Sequence, residues 1–251
     1  MELQTIEDTY FDFPGRSSKE EIETDIQRFK NNPLVTQLLE GYPNLAVILD
    51  WNRHIVAYNS KASEFLQESL DGEIYGQRLG EALRCVHAYD MPAGCGTSKF
   101  CAECGAGKAS KLTHESLVSC TDECRITTNV NNCETSLNLK INSSILIING
   151  DIYTVFAIEN IADLKRKEVL ERIFFHDVLN TATSIKGITD LLPTVEDTDE
   201  FKVFSGMLEV SANQLVQEIQ VQRDLMDAET GRLSINPIEI NINLILEKTY
   251  N

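Results

Sequence analysis

One histidine and four cysteines stand in settings where their side chains can do chemistry. His176 lies in Phe174-Phe175-His176-Asp177-Val178-Leu179-Asn180. At about 100° per residue on a helix, a position two residues from both Phe174 and Val178 points roughly 200° away from the apolar seam they define, so the imidazole is expected to face water. Asp177 follows it directly and Asn180 lies one turn on, which gathers a carboxylate, an imidazole and an amide on accessible surface. His54, His87 and His114 lack such a setting and are expected to be core or surface histidines, although His87 is close in sequence to the cysteines.

Cys85, Cys95, Cys101 and Cys104 fall within RCVHAYDMPAGCGTSKFCAECGAG, with nine, five and two residues between them. Cys101-Ala-Glu-Cys104-Gly105 allows a tight turn that converges two sulfurs and directs backbone N–H groups at thiolate, which suits tetrahedral metal binding. Structural zinc usually takes two such knuckles, and only one is present. The x5 and x2 spacing with a distant fourth cysteine is closer to that of iron–sulfur ligands. An iron–sulfur cluster on Cys85, Cys95, Cys101 and Cys104 is therefore the expectation, with zinc and free or redox-switching thiols as alternatives. No CxxCH motif is present to attach a c-type haem. Cys120, Cys124 and Cys133 read as small buried or idle thiols, with auxiliary ligation as the alternative. Seven cysteines, an odd number, in a chain with no export signal argue against a disulfide framework.

These residues need elements to position them. With 42% apolar and 24% charged residues, the 251-residue chain has ordinary globular composition. Its net charge of −17 repels phosphate backbones and anionic lipid, so neither nucleic acid nor membrane is an expected partner. No run approaches the roughly 18 apolar residues of a membrane span, and a cytoplasmic location is expected. Residues 1–41 are expected to form a leader that packs on the next domain: Ser18 with Glu20 and Glu21 starts a helix reaching Lys30, and Asn32-Pro33 breaks it before a second short helix closed by Gly41. LAVILD and HIVAYN around Trp51-Asn52 form a hairpin, and helical spacing resumes over Ser63–Leu70. Strands follow at Arg125–Val130, Ser136–Ile148 and Ile152–Ile158, the last two joined by a turn at Asn149-Gly150-Asp151. The order implies an α+β domain with an antiparallel sheet of about five strands and helices on one side.

Beyond Ala162 two long helices are expected, Asp163–Leu192 and Asp199–Asp227, separated by Pro193 and an acidic run. Leu170, Phe174, Val178, Thr181, Ile185, Ile188 and Leu192 form one stripe; Phe204, Leu208, Ser211, Leu215, Ile219 and Met226 form the other. A lone hairpin cannot bury both stripes, and dimerisation into a four-helix bundle is the economical solution. After Gly231, the alternation of Ile238, Ile240 and Ile242 suggests the first strand of a further domain, cut off at Asn251.

NLAVILDWNRHIVAYNSKASEFL and the three closing strands, ending in Ile-Glu-Asn-Ile before a helix, resemble a PAS domain over residues 42–161, with a cysteine-rich insert at 85–104. The His176 segment resembles the H-box of two-component sensor histidine kinases, in which an acid follows the His and Asn or Thr stands four residues on. That resemblance implies that residues 162–230 are a dimerisation and histidine-phosphotransfer hairpin and that 231–251 begin a truncated ATP-binding domain. By the same resemblance Asp177 holds one ring nitrogen protonated, the other attacks the γ-phosphorus of ATP, and Asn180 positions water for dephosphorylating the response regulator. The PAS domain is then expected to sense redox or metal state, or a ligand, and to control phosphotransfer from His176 to an Asp of a response-regulator receiver domain. The chain contains no glycine-rich DxGxG lid, so ATP is expected only through the missing domain and the fragment alone is expected to be inactive. A non-enzymatic dimeric adaptor or phosphorelay protein with a metal-binding PAS module is the alternative.

Overall fold

A computed structural model describes residues 9–67, 74–130, 133–234 and 242. The chain divides into two compact units, residues 1–165 and 166–251. Both follow from local signals that the chain states plainly. In the first unit α1 (Lys19–Lys30) opens with a capping box: Ser18 Oγ accepts from the N–H of Glu21, and the Glu21 carboxylate accepts from the N–H of Ser18. Asn32 caps α2 (Pro33–Glu40), and Gly41 ends it.

β1 (Leu45–Leu49) and β2 (Ile55–Tyr58) make the expected hairpin. α3 (Ser60–Gln67) starts three residues before the expected Ser63, because the Asn59 amide oxygen accepts the N–H groups of Ala46 and Ala62 and so begins the helix at the end of β2. Leu70, which the sequence assigns to this helix, lies outside the described residues. α4 (Leu79–Ala82), a single 3-10 turn (Lys99–Ala102) and α5 (Gly105–Ser116) form the helical middle. β3 (Cys120–Val130), β4 (Cys133–Ile148) and β5 (Asp151–Asn160) complete an antiparallel sheet of order β2-β1-β5-β4-β3. The β4–β5 turn places Asn149 and Gly150 at φ +54° and +93°, which matches the twist of the strands it joins.

Both faces of the sheet are covered, in place of the single covered face expected. Val47, Leu49, Ile55, Leu139, Ile141, Phe156 and Ile158 face one core with α3 to α5. Ala46, Ile48, Val56 and Tyr153 face a second core against Ile26 and Phe29 of α1 and Leu39 of α2. Because successive side chains of a strand point to opposite faces, a strand buried on both sides reads as a continuous apolar run, and Leu45–Leu49 is one. The leader is thus part of the fold of this unit.

α6 (Ala162–Leu191) continues from β5, and a 3-10 turn at Leu192–Thr194 with Pro193 precedes α7 (Thr198–Glu229). In the second unit Thr181 Oγ1 donates to Glu218, 3.2 Å away, joining the two helices. Leu170, Phe174, Val178, Thr181, Ile185 and Ile188 are sheltered on α6 and Leu192 in the turn after it, as the stripe predicts, with Ala182 sheltered beside them. On α7 Phe204, Leu208, Ser211 and Leu215 follow the stripe, whereas Ile219 and Met226 are exposed and Glu218 and Gln222 take the sheltered positions. The expected stripe drifted one position there because a single apolar residue per turn does not define a face against its neighbours. The strand expected from Ile238, Ile240 and Ile242 lies, apart from the exposed Ile242, outside the described residues. No described helix is long and apolar enough to cross a membrane.

Candidate functional site

The four cysteines chosen from spacing come to one place. Cys85, Cys95, Cys101 and Cys104 line a cavity of about 240 Å³ between the sheet and α5, floored by Leu49 and Phe156. Cys85 follows α4 and bridges to Thr128 of β3, with Val86 N–H donating to Thr127. The 91–98 loop carries Cys95 back under α4. It is able to do so because Gly94 stands at φ +87°, where a Cβ would also strike the Glu81 carboxylate. Cys101 sits in the 3-10 turn that Ser98 caps, and Cys104 is the N-cap residue of α5. α5 begins hard against β3: a Cβ on Gly105 would lie 2.1 Å from the Glu123 carbonyl oxygen, so only glycine permits this approach.

Spacing did not single out Cys124. It is buried in β3 with its Sγ 3.4 Å from that of Cys104. The Cys124 thiol donates to Cys104 and, against the cost of burial, lowers the Cys104 pKa; the N–H groups of Gly107 and Ala106 act in the same direction. The same bond raises Cys124, which stays a thiol. Burial pushes Cys95 up to about 12 and also raises Cys85 and Cys101. In residue type this set suits an iron–sulfur cluster or zinc. In arrangement it does not: among the described residues no three His, Cys, Asp or Glu side chains converge as a metal-ligand group.

A strap of residues 10–17 crosses the cavity mouth. Tyr10 and Asp12 donate backbone N–H groups to Thr97 and Gly96, Arg53 pairs with Asp12, and Arg16 binds Glu81 at 2.8 and 3.0 Å. Arg78, fully buried, ties the strap to the cysteine loop by donating to the carbonyl oxygens of Gly15, Ala93 and Cys95, and also to that of Asn52. Burial, with Arg53 and Arg16 nearby, lowers its pKa to about 10, so it remains a cation at neutral pH.

Two buried carboxylates make this region acid-sensitive. Burial pushes Asp50 up, but bonds from His54 and Ser17 outweigh it and leave the pKa below the usual 3.8. Burial likewise opposes Glu81, which Arg16 and the N–H groups of Arg78 and Cys95 hold below 4.5. A carboxyl with a depressed folded pKa contributes stability that is present above its unfolded pKa and lost as pH falls through the folded one. The urea midpoint is therefore expected to drop as pH falls from about 5 to 3, and less steeply in Glu81→Gln. A wild-type midpoint unchanged over that range would refute the ion-pair account.

Of the other histidines, His54 is a core residue bonded to Asp50 at 3.0 Å, and His114 stacks on Trp51 and contacts Thr154 Oγ1 at 2.6 Å. His87 borders the cavity, stacked on Phe100 with 3.9 Å between centroids and bonded to Asp90 at 2.8 Å.

His176 lies on α6, in the second unit. Its side chain is 72% exposed, with Nδ1 3.1 Å from Asp177 Oδ1 and the Asn180 amide nitrogen 3.2 Å from Nδ1 and 3.3 Å from Nε2; with Nδ1–H donated to Asp177, the amide donates to Nε2. The three residues named from the sequence therefore do cluster on accessible surface.

No family model matches the chain, and no curated protein matches it. Solved structures similar to it include the PAS domain of nitrogen regulation protein NR(II) from Vibrio parahaemolyticus, at 18% identity over 51% of this chain and 99% of that one, with TM-score 0.35. A PAS domain from a two-component sensor histidine kinase shares 10% identity over 53% and 96%, with TM-score 0.35. A LOV protein from Rhodobacter sphaeroides shares 11% over 81% and 98%, with TM-score 0.37. These are similarities of fold alone. The order and register of strands β1 to β5, with the helical middle between β2 and β3, make residues 45–160 an α+β domain built on one five-stranded antiparallel sheet.

Proposed function

We propose that this chain is the sensor and phosphoacceptor part of a two-component histidine kinase, with His176 as the residue that receives phosphate. The observation that carries the proposal is the exposed imidazole with Asp177 at one ring nitrogen and Asn180 one turn away, on a 30-residue helix that follows the PAS-type sheet. Asp177 accepts a hydrogen bond from Nδ1–H, which keeps that nitrogen protonated and leaves Nε2 with a lone pair for the γ-phosphorus of ATP. A P–N bond forms, the bond from phosphorus to the ADP oxygen breaks, and the phosphoryl group then passes to an Asp of a response-regulator receiver domain. Asn180 positions water for the reverse, dephosphorylating activity. ATP arrives on an ATP-binding domain that residues 1–234 do not include.

The chain acts as a homodimer in this reading. Val169 and Ile173 of α6 and Met207, Val210 and Val221 of α7 are all at least half exposed, and a four-helix bundle gives such side chains a partner. The PAS-type domain supplies the signal through the cysteine-lined cavity, by redox state or by a ligand. The test is phosphopeptide mapping, under alkaline conditions, of the protein incubated with ATP, Mg²⁺ and its ATP-binding domain. Phosphate is expected on His176, and phosphate elsewhere or none sinks the proposal. An adaptor that relays phosphate without its own ATP-binding domain is the alternative; it requires phosphorylation of His176 only from a separate kinase.

A second reading is favoured by the shared position of four cysteines on one cavity. In it Cys85, Cys95, Cys101 and Cys104 draw together around an iron–sulfur cluster or zinc, which would supply redox sensing or structural closure. Anaerobically purified protein is then expected to hold stoichiometric iron and sulfide with visible absorption bleached by dithionite, or colourless stoichiometric zinc. Metal-free, folded protein would exclude both.

A further inference from the structure

We infer that Cys104 and Cys124 are a peroxide-sensitive thiol pair that closes to a disulfide between the N-terminus of α5 and strand β3. Their sulfurs are 3.4 Å apart, within van der Waals contact, and a disulfide needs a further approach of about 1.4 Å. Nothing intervenes, because Gly105 lets the first turn of α5 press directly on the Glu123 carbonyl. The two sulfurs have different roles. Cys104 lines the cavity and is partly exposed, with the Ala106 and Gly107 N–H groups directed at its sulfur, whereas Cys124 is buried behind it. Cys104 is therefore the attacking sulfur and Cys124 the resolving one.

The chemistry balances with hydrogen peroxide as oxidant. Cys104 sulfur attacks one peroxide oxygen, the O–O bond breaks, one water leaves and Cys104 becomes a sulfenic acid. Cys124 sulfur then attacks Cys104 sulfur, the S–S bond forms, and the hydroxyl departs with the Cys124 proton as a second water. Two sulfurs have lost two electrons and one peroxide has been reduced. A thiol reductant reverses the step.

The position of the pair makes it a switch. Glu123, the neighbour of Cys124, pairs through its carboxylate with Lys165 in the first turn of α6 at 2.8 Å. Ile161, just ahead of that helix, donates its N–H to Asn138 of β4, and Asn138 is paired with Arg125 of β3. Drawing Cys124 toward α5 thus pulls on the strand segment that holds the start of α6. That the pull reaches His176 rests on the kinase reading above; that the disulfide forms does not.

The full chain is reduced, desalted without oxygen, treated with one equivalent of hydrogen peroxide, alkylated and mapped by mass spectrometry. A disulfide-linked peptide pair joining Cys104 to Cys124 is expected. Cys124→Ser is expected to accumulate dimedone-trapped sulfenic acid at Cys104 several-fold over wild type, and Cys104→Ser to abolish both products. Amide exchange near Lys165 is expected to change several-fold on oxidation of wild type and to stay constant in Cys104→Ser. Alkylation of both residues after peroxide, or linkage of Cys104 to Cys95 or Cys101, overturns the pair. A Cys104–Cys124 disulfide with no phosphate on His176 would sink the kinase reading alone, and phosphate on His176 without the disulfide would sink this inference alone.

Discussion

Replacing His176 with glutamine is expected to bring phosphate incorporation from ATP, supplied on the ATP-binding domain, down to background, while the chain stays folded. The imidazole is 72% exposed and, among the described residues, is hydrogen-bonded only to Asp177 and Asn180, so its loss touches no core, and exposed substitutions of this kind change stability by about 0.5 kcal/mol or less. Glutamine keeps an amide that can bond Asp177 but has no nitrogen lone pair able to attack phosphorus. Asp177→Asn tests the neighbouring role. An amide cannot stabilise the ring as it becomes cationic, and a fall of roughly a hundredfold or more in the rate of phosphorylation by the added ATP-binding domain is expected. Asn180→Ala is expected to leave the forward rate near wild type and to slow dephosphorylation of the receiver domain. Undiminished labelling in His176→Gln, read by acid-labile, alkali-stable phosphate, would place the acceptor elsewhere.

The second large effect belongs to Arg78. Its guanidinium is fully buried and donates to carbonyl oxygens on the strap, on the hairpin turn and on both sides of Gly94. Arg78→Met keeps most of the side-chain volume and orphans these acceptors together, which by comparison with other broken buried charged networks costs about 3–5 kcal/mol. The urea midpoint is expected to fall accordingly. Cys95, half-buried in the cavity wall, is expected to react with a thiol reagent under native conditions many times faster than in wild type, because the same bonds hold the loop and strap over the cavity. Arg78→Lys is expected to lie between the two, since a single ammonium cannot span acceptors that a planar five-donor group reaches. An Arg78→Met protein with wild-type midpoint and wild-type thiol reactivity would show that the strap is held by other contacts.

The elements written in the chain are those with short-range causes. The Ser18 and Glu21 capping box, the Asn149-Gly150 turn, the break at Pro193 and the period of the α6 stripe each depend on residues within about one helical turn or one hairpin, where backbone sterics and local hydrogen bonds act alone. The outward direction of His176 belongs with them, because helix geometry decides it once Phe174 and Val178 are sheltered. Spacing also brought Cys85, Cys95, Cys101 and Cys104 into one loop system, and they do share a cavity.

What tertiary structure decided is which of these groups meet. Cys124 looked idle because its partner Cys104 is twenty residues away and on a different element; their contact exists only through the register of β3 against the first turn of α5 and the missing side chain at Gly105. Nothing in the sequence singles out Arg78, and burying it is possible because the carbonyl groups of Pro14, Gly15, Asn52, Ala93 and Cys95 converge on it from separate segments. The leader covers the second face of the sheet for the same kind of reason: Leu45–Leu49 is apolar on both sides, and only the packed chain shows that α1 and α2 are what shelters the far one. Local sequence states the shape of each piece, while long-range contacts, which no window of neighbouring residues contains, choose the partners.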